Sequence, residues 1–329
     1  MTELERRYLR LLRAYPADYR RARGTEIVGT YLDLAGPERR WPSSADAADL
    51  VRGGLRQRLR AAAATDLIPG VRLAAVLAFY TAVTLAGIWA GAATYPAPAE
   101  LGHSGTFGPF GSAGAIAWVG WLVAAVVVAI APGRPGRVAV VIALALTLAV
   151  IPIGAHTGPG RPPLFVLLPQ IALGVVALAL PDRLPAPVRY TAPALGGAAV
   201  ALMAVALTPG EYWGYEAWAG ARIVPAAGVI LLLAALLLGA GLALRQDLRG
   251  VWATLVLLTP VGLLSLRVIA GAVGGLRDTP NPSWGGLAAT AVAVTLLGPA
   301  VLPLAVAIRR RVGRQRPADV RCPTCGAHR

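Results

Sequence analysis

The side chains with the clearest capacity for chemistry lie at the end of the chain, in Cys322-Pro-Thr-Cys325-Gly followed by His328. A Cys-x-x-Cys turn points two thiolates at one metal, and His328 can add a third ligand, so the spacing is that of part of a tetrahedral zinc site. Closing it takes a fourth ligand from another subunit or a partner. A redox dithiol and a tail without metal are the two other readings of the same residues.

Further candidates sit inside the apolar part of the chain. Gln170 beside Pro169 and Thr259 beside Pro260 are the places where a proline frees a helix carbonyl. With Arg267, the ionisable residue that falls within an apolar stretch, they define a candidate cavity. Arg267 is also placed where its long side chain can snorkel to an interface. Otherwise no Asp, Glu, His or Arg falls well inside a span, whereas coupled carriers place ionisable groups at mid-membrane. His103, His156 and His328 are scattered, and no nucleophile–base–acid set or phosphate loop is visible. The expectation is a non-enzymatic protein.

Composition sets the surroundings of these residues. The 329 residues are 56% apolar and 14% charged, with a mean hydropathy of +0.62. That balance excludes an ordinary soluble domain and points to a polytopic membrane protein. All 31 basic residues are Arg against 16 acids, a net charge of +15. The absence of Lys and the abundance of Ala, Gly and Pro look like the codon bias of a G+C-rich bacterial genome.

The first apolar stretch, Val71–Ala93, carries Arg72 at its entrance and no later charge. Such a stretch reaches roughly 34 Å as a helix, enough for a hydrocarbon core about 30 Å thick. Seven more follow: Ala113–Ala131, Val138–Ala155, Leu164–Leu180, Thr191–Thr208, Ile223–Leu244, Val251–Val273 and Gly286–Ile308. With the termini included, 27 Arg fall on one side of these spans and three (Arg161, Arg222, Arg277) on the other. The positive-inside rule then places both termini in the cytoplasm. The expected fold is all-α, a helical membrane bundle of about eight spans in the cell membrane. A small cytoplasmic helical domain (1–70) precedes it, and a basic cytoplasmic tail (309–329) follows.

Smaller features qualify this frame. Gly87-x-x-x-Gly91 and Gly271-x-x-x-Gly275 fit a close-packing motif of membrane helices. Tyr212, Trp213, Tyr215 and Trp218 crowd one outer loop, as an interfacial belt or a sensing patch. Trp118 and Trp121 face lipid or other helices. RRRVGRQR after the last span suits anionic lipid, so direct nucleic-acid binding is not expected.

The N-terminal part reads as three short amphipathic helices. Leu4, Tyr8, Leu11, Leu12 and Tyr15 form one stripe, ended by Pro16, which can open the next helix. Ile27, Val28, Tyr31, Leu32, Leu34 and Ala35 form the second, stopped by Gly36-Pro37. Ser43 as cap with Asp46 starts the third, with Ala48, Val51, Leu55 and Leu59 as a stripe weakened by Gly53-Gly54. A solvated linker is the alternative to this helical reading.

Arg7–Leu34, RYLRLLRAYPADYRRARGTEIVGTYLDL, resembles an N-terminal module of actinobacterial multi-pass membrane proteins of unknown function, and Leu50–Arg60 is similar to the same proteins. The matching positions are Arg10 to Arg13, Tyr15-Pro16, Tyr19-Arg20, Gly24, Glu26 and Asp33. The resemblance implies an integral membrane protein, often encoded beside a PadR-like transcriptional regulator, with a cytoplasmic signalling or docking head and no known catalytic residues. On that reading Leu12, Tyr15, Tyr19, Glu26 and Tyr31 are the partner-docking residues. A permease or the membrane subunit of an export system is the alternative.

Overall fold

A computed structural model describes residues 2–35, 39–61, 66–94, 112–156, 162–206, 215, 218–275 and 283–315. Among them every regular element is a helix. The chain divides into two compact units, Met1–Leu67 together with the segment from Pro303, and Ile68–Leu302.

In the first unit, α1 (Glu3–Leu11) starts at Thr2. The Thr2 hydroxyl accepts the Glu5 N–H at 3.1 Å, and the Glu5 carboxylate accepts the Thr2 N–H at 3.1 Å. This reciprocal box satisfies two of the free donors of a helix start. A 3-10 turn, Leu12–Ala14, leads to Tyr15-Pro16 and then α2 (Ala17–Ala35). The Pro16 carbonyl accepts the Arg20 N–H at 3.0 Å, so the proline stands just before the helix rather than as its first residue. α3 (Ser44–Ala61) begins as its sequence predicts: Asp46 N–H donates to Ser43 Oγ at 3.0 Å and Ser43 N–H to Asp46 Oδ2 at 3.2 Å.

Leu4, Tyr8, Leu12, Tyr15, Val28, Ala35 and Leu50 form this unit's core. α3 does not meet it with the expected stripe: Ala48, Val51 and Leu55 are exposed, while Leu50 and Gly54 are buried. The cause is close approach. A Cβ on Gly53 would lie 2.3 Å from the Tyr15 hydroxyl, and one on Gly54 2.7 Å from the Ala14 backbone. The two glycines that interrupt the apolar stripe are therefore the contact itself. Leu34, expected on the apolar face of α2, is exposed near the helix end.

The remaining helices are α4 (Leu67–Ala93), α5 (Ala115–Ile130), α6 (Arg134–His156), α7 (Leu164–Ala177), α8 (Ala186–Ala206), α9 (Trp218–Ala243), α10 (Arg249–Leu264), α11 (Leu266–Gly275) and α12 (Trp284–Gln315). Among the described residues five helices are long and apolar enough to cross a membrane: Leu67–Ala93, Arg134–Ile153, Ala186–Ala206, Arg222–Ala243 and Trp284–Ile308. A sixth crossing exists if α10 and α11, bent by 68° at Ser265, count as one. α5 and α7 are apolar but shorter.

α4 is the most enclosed of the five, with 61% of its apolar window buried, against 6% for the last. Its inner face is made of small residues, with Ala74, Ala75, Ala78, Ala82 and Ala86 all buried. Small side chains let neighbouring backbones approach in a lipid environment, where packing rather than water exclusion holds helices together. At Gly87 an added Cβ would lie 2.5 Å from the Gly196 carbonyl of α8, and at Gly91 2.7 Å from Met203 Cβ. The first Gly-x-x-x-Gly pair is thus a helix contact; Gly271 of the second has nothing within 4 Å.

Trp118 and Trp121 of α5 point inward and are fully buried. Trp121 Nε1 donates to Thr147 Oγ1 of α6 at 3.0 Å, and the Thr147 hydroxyl donates to the Ala143 carbonyl at 2.8 Å. A buried indole needs such an acceptor. Trp118 Nε1 donates to the Tyr215 hydroxyl at 2.9 Å, and Tyr215 also meets Trp89 of α4 with ring centroids 5.2 Å apart. One member of the aromatic loop therefore packs on the bundle.

Candidate functional site

The head's motif aromatics are placed by its helix pairings. Tyr8 OH donates to Asp46 Oδ2 at 3.1 Å, tying α1 to α3. Tyr31 OH donates to Asp49 Oδ2 at 2.5 Å, tying α2 to α3. The Tyr8 and Tyr31 rings lie 5.5 Å apart, and Tyr15 stacks on Tyr19 at 5.5 Å. Burial, then the acceptor Asp46, raises the Tyr8 hydroxyl above its ordinary 10.0. Burial and Asp49 do the same to Tyr31. Hydrogen bonds from Ser43 hold Asp46 below the ordinary 3.8.

The expected docking residues fall in different settings. Leu12 and Tyr15 are core, Tyr31 spends its hydroxyl on α3, Tyr19 is half-buried, and only Glu26 stands fully exposed. A three-helix unit of this size has too few aliphatic side chains to fill its centre, so the motif's leucines and tyrosines are drawn inward.

What these residues leave open is a groove between α1 and α2. It has a volume of about 680 Å³, and its floor is Leu9, Leu12, Val28 and Leu32, with Glu5, Arg20 and Arg21 at the rim. Gly24 and Gly29 keep it wide: a Cβ at Gly24 would touch only Leu12 Cδ1 at 3.8 Å, and one at Gly29 nothing within 4 Å. Sequence reasoning missed this surface, although Arg20, Gly24, Val28 and Leu32 recur every four residues along one face of α2. An apolar floor with a charged rim can accept an amphipathic helix.

In the second unit the three expected cavity residues have separate neighbours. Gln170 is fully buried, and its Nε2 donates to the Ala82 carbonyl of α4 at 3.1 Å. Thr259 of α10 lies against Gly298 of α12, where an added Cβ would fall 2.0 Å from its hydroxyl oxygen. The Arg267 guanidinium lies over the Phe165 ring of α7 at 4.9 Å, a cation–π contact that eases a charge within apolar surroundings. Each of these contacts joins two helices. α7 and α10 continue through Pro169 and Pro260, and the sharp bend falls five residues later, at Ser265. There the Ser265 N–H still donates to the Val261 carbonyl at 3.0 Å, and its carbonyl accepts from Ile269 at 2.9 Å.

A lateral groove of about 470 Å³ does open between α4, α8 and α9, lined by Leu77, Tyr80, Thr84, Leu195, Ile223 and Leu231 among others. Its hydroxyls are satisfied internally, Tyr80 by the Val188 carbonyl and Thr84 by the Tyr80 carbonyl at 2.8 Å. Cys322, Cys325 and His328 lie outside the described residues; among the described residues no group of three or more His, Cys, Asp or Glu is placed to hold a metal. No family model, no curated protein and no solved structure matches this chain.

Proposed function

We propose that this is a non-enzymatic, multi-pass protein of a bacterial cell membrane whose cytoplasmic head docks a soluble regulator, such as a transcriptional regulator. The observation that carries the reading is the open α1–α2 groove on a unit that closes its own core with the aromatics of its motif. A surface left wide by Gly24 and Gly29, joined by a short connection to the most enclosed apolar helix, suits a module that couples a cytoplasmic partner to the bundle.

The span count and orientation belong to the same proposal. Each of the eight apolar stretches in the sequence contains helix, with α10 and α11 together forming the seventh. α5 and α7, at 16 and 14 residues, cross as short spans with help from their flanks. Eight crossings put both termini on one side, and the 27-to-three division of Arg favours the cytoplasm as that side. Affinity isolation of the full-length protein from its native cells tests the docking. The expected result is one cytosolic protein whose recovery is lost in Gly29→Leu; recovery of none, or equal recovery with the variant, counts against it.

The 68° break between α10 and α11 favours a second reading, a permease or export subunit, because discontinuous helices commonly frame transport sites. Solute flux in proteoliposomes, and an ATP-binding cassette subunit encoded next to this chain, would favour that reading. A PadR-like neighbour favours the first.

A further inference from the structure

The packing of α3 leaves one of its faces without a neighbour in the head. Ala48, Val51, Arg52, Leu55, Arg56 and Arg60 are all exposed and fall at intervals of three, four or one residues, so they form one strip along the helix, which also holds exposed Asp49, the acceptor of the Tyr31 hydroxyl. Leu50 and Gly54, on the opposite side, are buried. Val51 and Leu55 expose 46% and 56% of their surface and lie one turn apart on this strip. Arg7 lies over Trp41, Arg21 pairs with Asp18, and Arg58 donates to the Arg13 carbonyl, whereas the Arg52, Arg56 and Arg60 side chains, like several others in the head, have no such partner among the described residues. These three share one strip with Val51 and Leu55. The first turn of α3 carries Asp46 and the last carries Arg58 and Arg60. Positive charge therefore accumulates towards the end nearer α4.

We propose that this strip of α3 is a binding surface for anionic phospholipid headgroups, with Val51 and Leu55 entering the acyl boundary and Arg52, Arg56 and Arg60 meeting the phosphates. Two arguments select lipid over other occupants. The charge is complementary, because apolar side chains flanked by arginines are the composition of helices that lie in a membrane interface. The reach is also short. α3 ends at Ala61 and α4 begins at Leu67, and α4 is long and apolar enough to cross a membrane. Six residue steps of extended chain span roughly 20 Å at most, so the end of α3 is never far from the point where α4 starts. This proposal is independent of the docking reading, which uses the groove between α1 and α2.

The test uses the full chain in nanodiscs, with Cys322 and Cys325 replaced by serine and a spin label at Val51→Cys or Leu55→Cys. Discs of phosphatidylcholine alone are compared with discs containing phosphatidylglycerol. The expected result is that anionic discs shield both labels from a water-soluble relaxant and expose them to oxygen. A label at Leu34→Cys, exposed and apolar but on α2 and not on this strip, remains in water. Arg52→Glu with Arg56→Glu shifts the bound-to-free ratio of the strip by about ten-fold or more, since each basic residue near an anionic surface contributes on the order of a kilocalorie. These positions are exposed, so the variants are expected to fold; unchanged accessibility at Leu34→Cys checks this. Labels equally wet in both discs overturn the proposal, as does shielding that survives the charge reversal. Shielding that arises only when a soluble protein is added assigns the strip to a protein and overturns it too.

Discussion

The contact between α4 and α8 allows a sharp test, because the atom that blocks substitution belongs to the backbone. A Cβ at Gly87 would fall 2.5 Å from the Gly196 carbonyl oxygen and 2.9 Å from Ala199 Cβ, whereas ordinary contact begins near 3.4 Å. Relief therefore requires α4 and α8 to part by about 0.9 Å, the difference between those values. A gap of that size forfeits roughly a quarter to a half of the dispersion energy of the atoms lining it. Overpacking of this kind costs about 1–3 kcal/mol even for small additions, and Gly87→Leu belongs at or beyond the upper end. Gly197 is the internal control, one residue from Gly196 on the same helix but with nothing within 4 Å. Gly197→Leu should be neutral or stabilising by up to about 1 kcal/mol, because leucine is the better helix former. Denaturant midpoints of the full-length protein in detergent micelles, followed by helical circular dichroism, measure both. Gly271→Leu, at the second Gly-x-x-x-Gly, should resemble the control. A Gly87→Leu midpoint equal to wild type, or a Gly197→Leu midpoint lowered as far as that of Gly87→Leu, refutes the packing argument.

Further outcomes follow from other contacts. Gln170→Leu removes the bond to the Ala82 carbonyl and should lower the same midpoint by the equivalent of about 0.5–2 kcal/mol. Because Asp46 has its folded pKa held below the ordinary 3.8, its contribution is complete above about pH 4 and is lost as pH falls through the lower folded value. A spin label at exposed Ala45 should gain mobility on acidification, and Asp46→Asn should flatten that response. Tyr8 and Tyr31 have raised values, so their contribution is present below 10.0 and lost as pH rises beyond it; the same label should loosen in alkali. For the tail, zinc in the purified protein should fall on Cys322→Ser if the thiols hold metal, and equal zinc in both proteins excludes that site.

Helix positions were legible in the sequence because apolar runs and capping signals are local properties. Ser43 with Asp46 starts α3, and each apolar stretch contains helix. Which face of a helix turns inward depends on contacts with distant residues, and there the sequence misled. Gly53 and Gly54 read as a flaw in α3 because their value lies in the approach of Ala14 and Tyr15, some forty residues away. Leu12, Tyr15 and Tyr31 read both as apolar stripe and, through the resemblance, as docking residues, and the spacing alone does not say whether such a stripe turns to its own core or to a partner. The partners of Gln170 and Thr259, the carbonyl of Ala82 and the bare backbone of Gly298, lie on other helices and leave no local trace in the sequence. The Thr2–Glu5 box at the start of α1 was readable from its three-residue spacing and was overlooked.

The central claim is that the groove between α1 and α2 receives a soluble partner in the cytoplasm. Site-specific photocrosslinking in living cells tests it directly, with a benzophenone side chain placed in the full-length protein at Arg20 or Thr25 and, as a control, at Leu34. The account predicts one discrete cytosolic protein joined to the groove positions and absent from the control. Adducts to lipid alone, or the same adducts from all three positions, would contradict it.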